Sequence, residues 1–471
     1  MIPAEQPRRT YVFVAIAVVS AVCLSSLLSI NTFPVVSNDS VVYIEHSLDL
    51  TEGGWVTEGY RQVGYPATIA QVRWLATLVG AEPLLAVAVL QRLLLVLAGA
   101  LSFIIWRWWS LPLLLFLAAG STVASSNFLL TEGMGLPVAI LLVFPTLAYI
   151  RAVRSDMWSR RVLVLGITVI VGALYLFFVR LTYGVFGVLP LVLVLASWKT
   201  VYRRFSLVAF GVFVSVAGLF ALLVSFDNEQ DLGVRSPIAG DEATTYYHAW
   251  SQVFVVNPEN RSDPDLASFY DDGVVHAFSR ELSGLDLSSE EQEERYDAEI
   301  RAMLEAAGMS VPGSQIQAAL WALIGGRLHD IEGAVNRVIS SSRENVDDLI
   351  NLNEFAFENG PMAFAEVYND SQLPEAVITD PVGVPLNLNN QKLLAVLMPM
   401  ALAALILALV WPDARLGAVA GLVVVLATAI GLGLIRADNL RFLIAANGFG
   451  IAMAIGLLQG HFTHRISQQA V

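Results

Sequence analysis

The sequence predicts an all-α polytopic membrane protein of about ten transmembrane helices, with one large polar segment between the seventh and the eighth. Three observations predict it. Hydrophobic residues make up 56% of the 471 residues, charged residues only 14%, and the mean hydropathy is +0.64. A soluble domain this apolar could not clothe its surface in polar groups, whereas lipid accepts such a surface. The apolar residues also gather in runs of spanning length, and the charges are segregated by sign along the chain.

A crossing takes about 20 mostly apolar residues, each advancing about 1.5 Å through a hydrocarbon core about 30 Å thick. Runs of that kind cover 11–30, 84–105, 110–129, 134–150, 162–179, 183–198, 205–225, 393–411, 416–435 and 441–459. The first lacks a small-residue cleavage site after it and reads as a retained anchor. Residues 66–81 are short, carry Gln71 and Arg73 and follow the turn-like Gly64-Tyr65-Pro66. They read as an interfacial or re-entrant helix that does not cross.

The net charge of −14 divides unevenly. Residues 226–390 hold 30 carboxylates against 8 arginines, and the remainder holds 11 carboxylates against 19 lysines and arginines. With 66–81 left out of the crossing count, Arg8, Arg9, Arg107, Arg151, Arg154, Arg160, Arg161, Lys199, Arg203, Arg204, Arg415 and Arg465 share one side. Only Glu5, Asp156 and Asp413 accompany them. By the positive-inside rule that side is cytoplasmic, together with both termini, and the acidic segment is extracytoplasmic. The expected organisation is an N-terminal transmembrane module over 1–225, an acidic and mostly helical extracytoplasmic domain over 226–390, and three C-terminal helices with a short cytoplasmic tail over 391–471. The expected location is the cell membrane (inner or plasma), with membrane lipids as partners and no nucleic acid. The lone Cys23 forbids an intramolecular disulfide.

This topology collects four charged groups at the extracytoplasmic face. They are the stretch after the first span with Asp39, Glu45, His46, Asp49, Glu52, Glu58 and Arg61; then Glu132; then Arg180; then Arg436, Asp438 and Arg441. Charges at the ends of spanning helices are costly unless paired or put to use. No metal-ligand spacing, phosphate-binding glycine loop or nucleophile signature is present, and His46, His248, His276 and His329 are scattered.

The run Asn38-Asp39-Ser40-Val41-Val42-Tyr43, then Gly53-Gly54-Trp55, then Arg61-Gln62-Val63-Gly64-Tyr65-Pro66, resembles the first extracytoplasmic loop of the GT-C fold glycosyltransferases. Thr131-Glu132 opening the fourth span, Arg180 closing the fifth, and Asp438-Asn439-Leu440-Arg441-Phe442 opening the last extend the resemblance over roughly 1–225 and 391–460. Val63 stands where that family commonly has proline, Phe442 where it has tyrosine, and Asp39 lacks an adjacent second carboxylate.

The resemblance implies a GT-C-like fold, a polyprenyl-phosphate-linked sugar as donor, and a glycan, lipid or protein as extracytoplasmic acceptor. Cleaving the donor expels a phosphate, so cations at the outer interface stabilise the developing charge. Arg61, Arg180 and Arg441 are the candidates, because a guanidinium matches phosphate with a forked geometry. The acceptor hydroxyl needs a base, and Asp39, nine residues past the first span, is the chosen one, with Glu45 and Glu132 in reserve. His46, Tyr65 and Asp438 are the further polar candidates. One base and no enzyme-linked intermediate imply inversion at the anomeric carbon. No cofactor is firmly implied, and the single Asp39 does not favour a divalent metal. Two other readings stay open: a transporter or flippase of a lipid-linked or polar solute, and a non-catalytic membrane scaffold.

Overall fold

Glu82 shows why the chain turns helical where it does. Its carboxylate accepts the backbone N–H groups of Leu84 and Leu85, and Pro83 occupies the first helical position, where its missing N–H costs nothing. A mostly apolar run follows, and it forms a helix through Trp106. The computed structural model describes residues 38–52, 63–118, 122, 126, 129, 131–153, 159–231, 390–435 and 443–469. Every regular element among them is helical and no strand occurs there. The predicted first span 11–30 and nearly all of the acidic segment 226–390 lie outside the described residues.

In chain order the helices are α1 (Asn38–Glu52), α2 (Gly64–Leu78), α3 (Pro83–Trp106), α4 (Leu111–Leu117), α5 (Thr131–Ala152), α6 (Arg160–Val179), α7 (Val188–Ser197), α8 (Arg203–Asp231), α9 (Asn390–Ala408), α10 (Arg415–Ile435) and α11 (Leu443–Gln469). Five stretches are long and apolar enough to cross a membrane: Pro83–Leu117, Thr131–Ala152, Arg160–Val179, Arg203–Phe226 and Leu443–Thr463. Tyr183–Ser197, Val396–Ala408 and Arg415–Ala429 are apolar but shorter. The chain divides into two compact units; α1 to α7, α8 up to residue 217, and α9 to α11 belong to the first. Of the second, only residues 218–231, the C-terminal part of α8, are described.

One expectation changes: the stretch between the first span and the helix expected over 66–81, read as a loop, contains the helix α1, which packs on α2. Asn38-Asp39-Ser40 supplies the Asx and Ser residues that favour helix starts. Of the run 110–129, expected as one span, the described residues include α4 over Leu111–Leu117 and a helical Thr122. The chain breaks at Arg107, the single described non-glycine residue with positive φ (56°), and α4 then heads back along the bundle. Trp109 accordingly stacks on Phe462 near the end of α11, while Phe116 lies beside Gly448 some four turns earlier in that helix.

The core of the first unit is built around α5 and α11, whose apolar side chains are buried nearly all round. Glycines bring the helices together: a Cβ on Gly448 would meet Leu136 of α5, and one on Gly172 of α6 would meet Leu142. Packing through small residues is how helices associate when lipid removes the hydrophobic drive between them.

The two ends of this bundle differ in charge. Contacts between Trp106 and Phe144, Arg151 and the Gly456 carbonyl, Ser159 and Tyr202, and Trp411 and His461 gather one set of helix ends together. That end carries Arg107, Arg151, Arg160, Arg161, Lys199, Arg203, Arg204 and Arg415, with Asp413 as the one carboxylate among the described residues there. Glu82, Glu132 and Arg180 lie at the opposite ends of their helices.

Candidate functional site

The site is assembled where α5 begins and α6 ends. Thr131 and Glu132 open α5, and both are buried. Arg180 is the residue that closes α6, its backbone N–H bonded to the Leu176 carbonyl and its own carbonyl accepting Tyr183 N–H. Because α5 and α6 run antiparallel in contact, these two termini meet. Arg180 Nη1 donates to Glu132 Oε1 at 2.9 Å and to Thr131 Oγ1 at 2.9 Å. Thr131 in turn donates its hydroxyl to Glu132 Oε2 at 3.2 Å. The carboxylate is therefore held on both oxygens. Its side chain is 3% exposed, whereas that of Arg180 is 17% exposed, so the cation rather than the anion presents an edge to the outside.

A second set of polar groups packs beside this pair. Gln91 projects from α3 and its amide lies over Gly133, the residue after Glu132; any Cβ there would overlap it. Gln91 Oε1 accepts the Tyr65 hydroxyl at 2.7 Å, and Gln91 Nε2 donates to the Ser126 carbonyl at 3.2 Å. Tyr65 reaches this position because Gly64 lets α2 touch the backbone of Phe178, where a Cβ would stand 2.5 Å from the carbonyl carbon. Tyr43 of α1 meets the Tyr65 ring edge-on, with centroids 5.1 Å apart. The Tyr183 ring covers Gly135 and is itself buried. Burial raises the Tyr65 hydroxyl well above its ordinary pKa, and Tyr43, Tyr175 and Glu132 push in the same direction. It is a neutral donor at any physiological pH.

The predicted residues fare unevenly. Glu132 and Arg180 come together as a direct pair, and Tyr65 joins the adjoining network through Gln91. Glu132, held in reserve as a base, is hydrogen-bonded to the Arg180 guanidinium. His46 lies buried on α1, where neighbouring Ser47 receives Arg73 Nη1 of α2 at 2.9 Å. Asp39 and Glu45 belong to α1, but their side chains lie outside the described residues, as do Arg61, Asp438 and Arg441 entirely. Among the described residues no three His, Cys, Asp or Glu side chains gather to hold a metal ion.

Gln91 and Tyr183 are the contributors that sequence reasoning passed over. Gln91 could have been flagged as an amide inside an apolar run, next to Arg92, where any polar group needs a partner. Tyr183 carries no such mark. Compared with protein-family models, curated proteins and solved structures, the chain matches none.

Proposed function

We propose that this chain is a membrane glycosyltransferase that moves a sugar from a polyprenyl-phosphate donor to an extracytoplasmic glycan, lipid or protein. The supporting observation is the fixed guanidinium of Arg180, gripped by Glu132 and Thr131 with one edge exposed, at the end of the bundle away from the basic face. By the positive-inside rule that end faces away from the cytoplasm. A prenyl chain lying in the bilayer delivers its phosphate to this depth, at the end of the spanning helices. A preorganised guanidinium there stabilises the charge that develops as the glycosidic C–O bond breaks, and needs no reorganisation at the moment of reaction.

The remaining roles follow the chemistry. Asp39, one helical turn before Tyr43, takes the proton of the acceptor hydroxyl, and Arg61 and Arg441 add positive charge around the departing phosphate. Attack from the face opposite the phosphate inverts the anomeric centre. Tyr65 and Gln91 hold α2 and α3 against the Glu132–Arg180 pair. The balance of the reaction is one glycosidic bond broken and one formed, with the proton leaving on Asp39.

The test is transfer from a radiolabelled prenyl-phosphate sugar in membranes containing the full chain. D39N abolishes transfer with the protein level unchanged, and R180A lowers it by at least a hundredfold while R180K recovers part. In cells lacking the protein, the unused prenyl-phosphate sugar accumulates in the lipid pool. Full activity in D39N defeats the proposal.

A second reading, solute or lipid transport, is favoured by Gln91 and Arg92, which lie buried beside each other within the apolar helix α3. Under that reading R92A abolishes solute uptake in reconstituted vesicles while D39N leaves it unchanged.

A further inference from the structure

We infer that the five cations where α6 and α8 begin form a docking site for the headgroups of anionic phospholipids. Ser159 caps α6, its hydroxyl oxygen accepting Arg161 N–H at 3.2 Å, so Arg160 and Arg161 are the first two residues of that helix. The α7–α8 connection is a tight turn: Thr200 N–H bonds the Ser197 carbonyl at 2.9 Å and Arg203 N–H bonds the Thr200 carbonyl at 3.3 Å. That turn places Lys199, Arg203 and Arg204 close together. Tyr202, buried inside it, accepts the backbone N–H of Ser159, which pins the start of α6 to the start of α8.

All five cationic side chains are exposed, and the sequence from 159 to 226 contains no aspartate or glutamate. Two helix N-termini add positive dipole ends to the same patch. Cations held together in this way repel one another until an anion joins them.

Two further features choose the anion. The Arg203 guanidinium lies 4.1 Å over the ring of Trp198, which is 47% exposed. An exposed tryptophan at the end of a spanning helix sits at headgroup depth. From the patch, the outer surfaces continue as Val164 and Ile167 on α6 and Leu207 and Val208 on α8, all exposed and apolar. The occupant must join a negative head to an apolar tail. An acidic peptide or a nucleic acid satisfies the charge and leaves that wall uncovered. This site lies at the opposite end of the bundle from the Glu132–Arg180 pair and does not depend on the proposed reaction.

The test uses the full-length protein purified in neutral detergent and offered equal amounts of phosphatidylglycerol and phosphatidylcholine with identical acyl chains. Retained lipid is counted by native mass spectrometry. The expected result is at least tenfold more phosphatidylglycerol, falling to near parity in R203Q/R204Q, since each cation near an anionic surface contributes about fivefold. R160Q/R161Q behaves alike, whereas R107Q/R415Q, with the same charge removed at the same end but outside the patch, keeps the preference. In the unaltered protein, 0.5 M NaCl collapses the preference, and 10 mM inorganic phosphate does not, which separates a lipid site from a loose phosphate site. Equal retention of the two lipids by the unaltered protein, displacement by inorganic phosphate, or an undiminished preference in both patch variants overturns the inference.

Discussion

Arg180 Nη1 lies 2.9 Å from Glu132 Oε1, and this contact fastens the residue that caps the end of α6 to the first turn of α5. Glu132 is the deeper of the two, so the outcome of substitution should be asymmetric. Removing Arg180 strands a buried carboxylate at a cost of about 3 kcal/mol, the lower part of the range for buried pairs because Arg180 is partly wet. We expect R180M to lose that much stability in a detergent-micelle unfolding titration. E132Q/R180M should be less destabilised than the sum of the single variants by at least about 1 kcal/mol, the coupling expected of groups in one network. Additive losses would show that the pair is incidental to the fold.

The glycines around the pair make a graded prediction. At Gly64 a Cβ would stand 2.5 Å from the Phe178 carbonyl carbon and 2.6 Å from its oxygen, and this backbone in the last turn of α6 has no rotamer to adopt. G64A therefore destabilises by about 1–3 kcal/mol, as overpacking does. It also lowers transfer activity, because α2 carries Tyr65. Gly211 of α8 has nothing within 4 Å of its would-be Cβ, and G211A raises helix propensity by up to about 1 kcal/mol. Thermal unfolding of the two variants should move in opposite directions.

How much of this was legible beforehand depends on the reach of each signal. Helices α3, α5, α6 and α8 announce themselves, because about 20 apolar residues in a row have few other solutions. Glu132 and Arg180 were placed on a common face by counting crossings, and they do meet. Their direct pairing was not legible, since it depends on where α5 and α6 end to within one residue. The reversal at Arg107 was legible, because Arg107 separates the apolar runs 84–105 and 110–129 and counting crossings already put a turn there. The helix α1 was hidden by its mixed charge, Asp39, Glu45, His46, Asp49 and Glu52 together suggesting a solvated loop. Gln91 was passed over because one amide scarcely changes the hydropathy of its run, although it ties Tyr65 to Gly133 and Ser126.

Tyr65 gives a pH prediction whose sign is set by burial. Its folded-state pKa is raised well above the ordinary value of about 10 for an unfolded tyrosine. The stability this represents is fully present below that value and is lost as pH climbs through it toward the folded pKa. We expect no pH dependence of stability from Tyr65 between pH 5 and pH 9. Above about pH 10 stability falls by up to about 1.4 kcal/mol per pH unit for this one group. Y65F removes that group's share of the alkaline slope. It also loses the hydrogen bond to Gln91, about 1 kcal/mol at neutral pH. An alkaline limb of the same steepness in Y65F, followed by equilibrium unfolding, would contradict this assignment.

The orientation of the bundle rests on whether α2 crosses the bilayer. At 15 residues α2 is about 22 Å long, shorter than a hydrocarbon core of about 30 Å, and Gln71 and Arg73 lie in its middle. If it stays at one surface, Thr51 at the end of α1 and Val79 just after α2 lie on the same side. Asp413, at the basic end of the bundle, then lies on the other. In a Cys23→Ser background, T51C and V79C should react with a membrane-impermeant maleimide in intact cells, and D413C only after permeabilisation. A crossing α2 would instead separate T51C from V79C and bring V79C to the side of the membrane that labels only after permeabilisation. The Glu132–Arg180 pair, which shares the α3 start that Val79 leads into, would then face the cytoplasm together with its exposed guanidinium edge. Labelling of Val79 from outside thus decides at once whether Arg180 stands where an extracytoplasmic prenyl phosphate can reach it, and it does so without any assumption about the sugar.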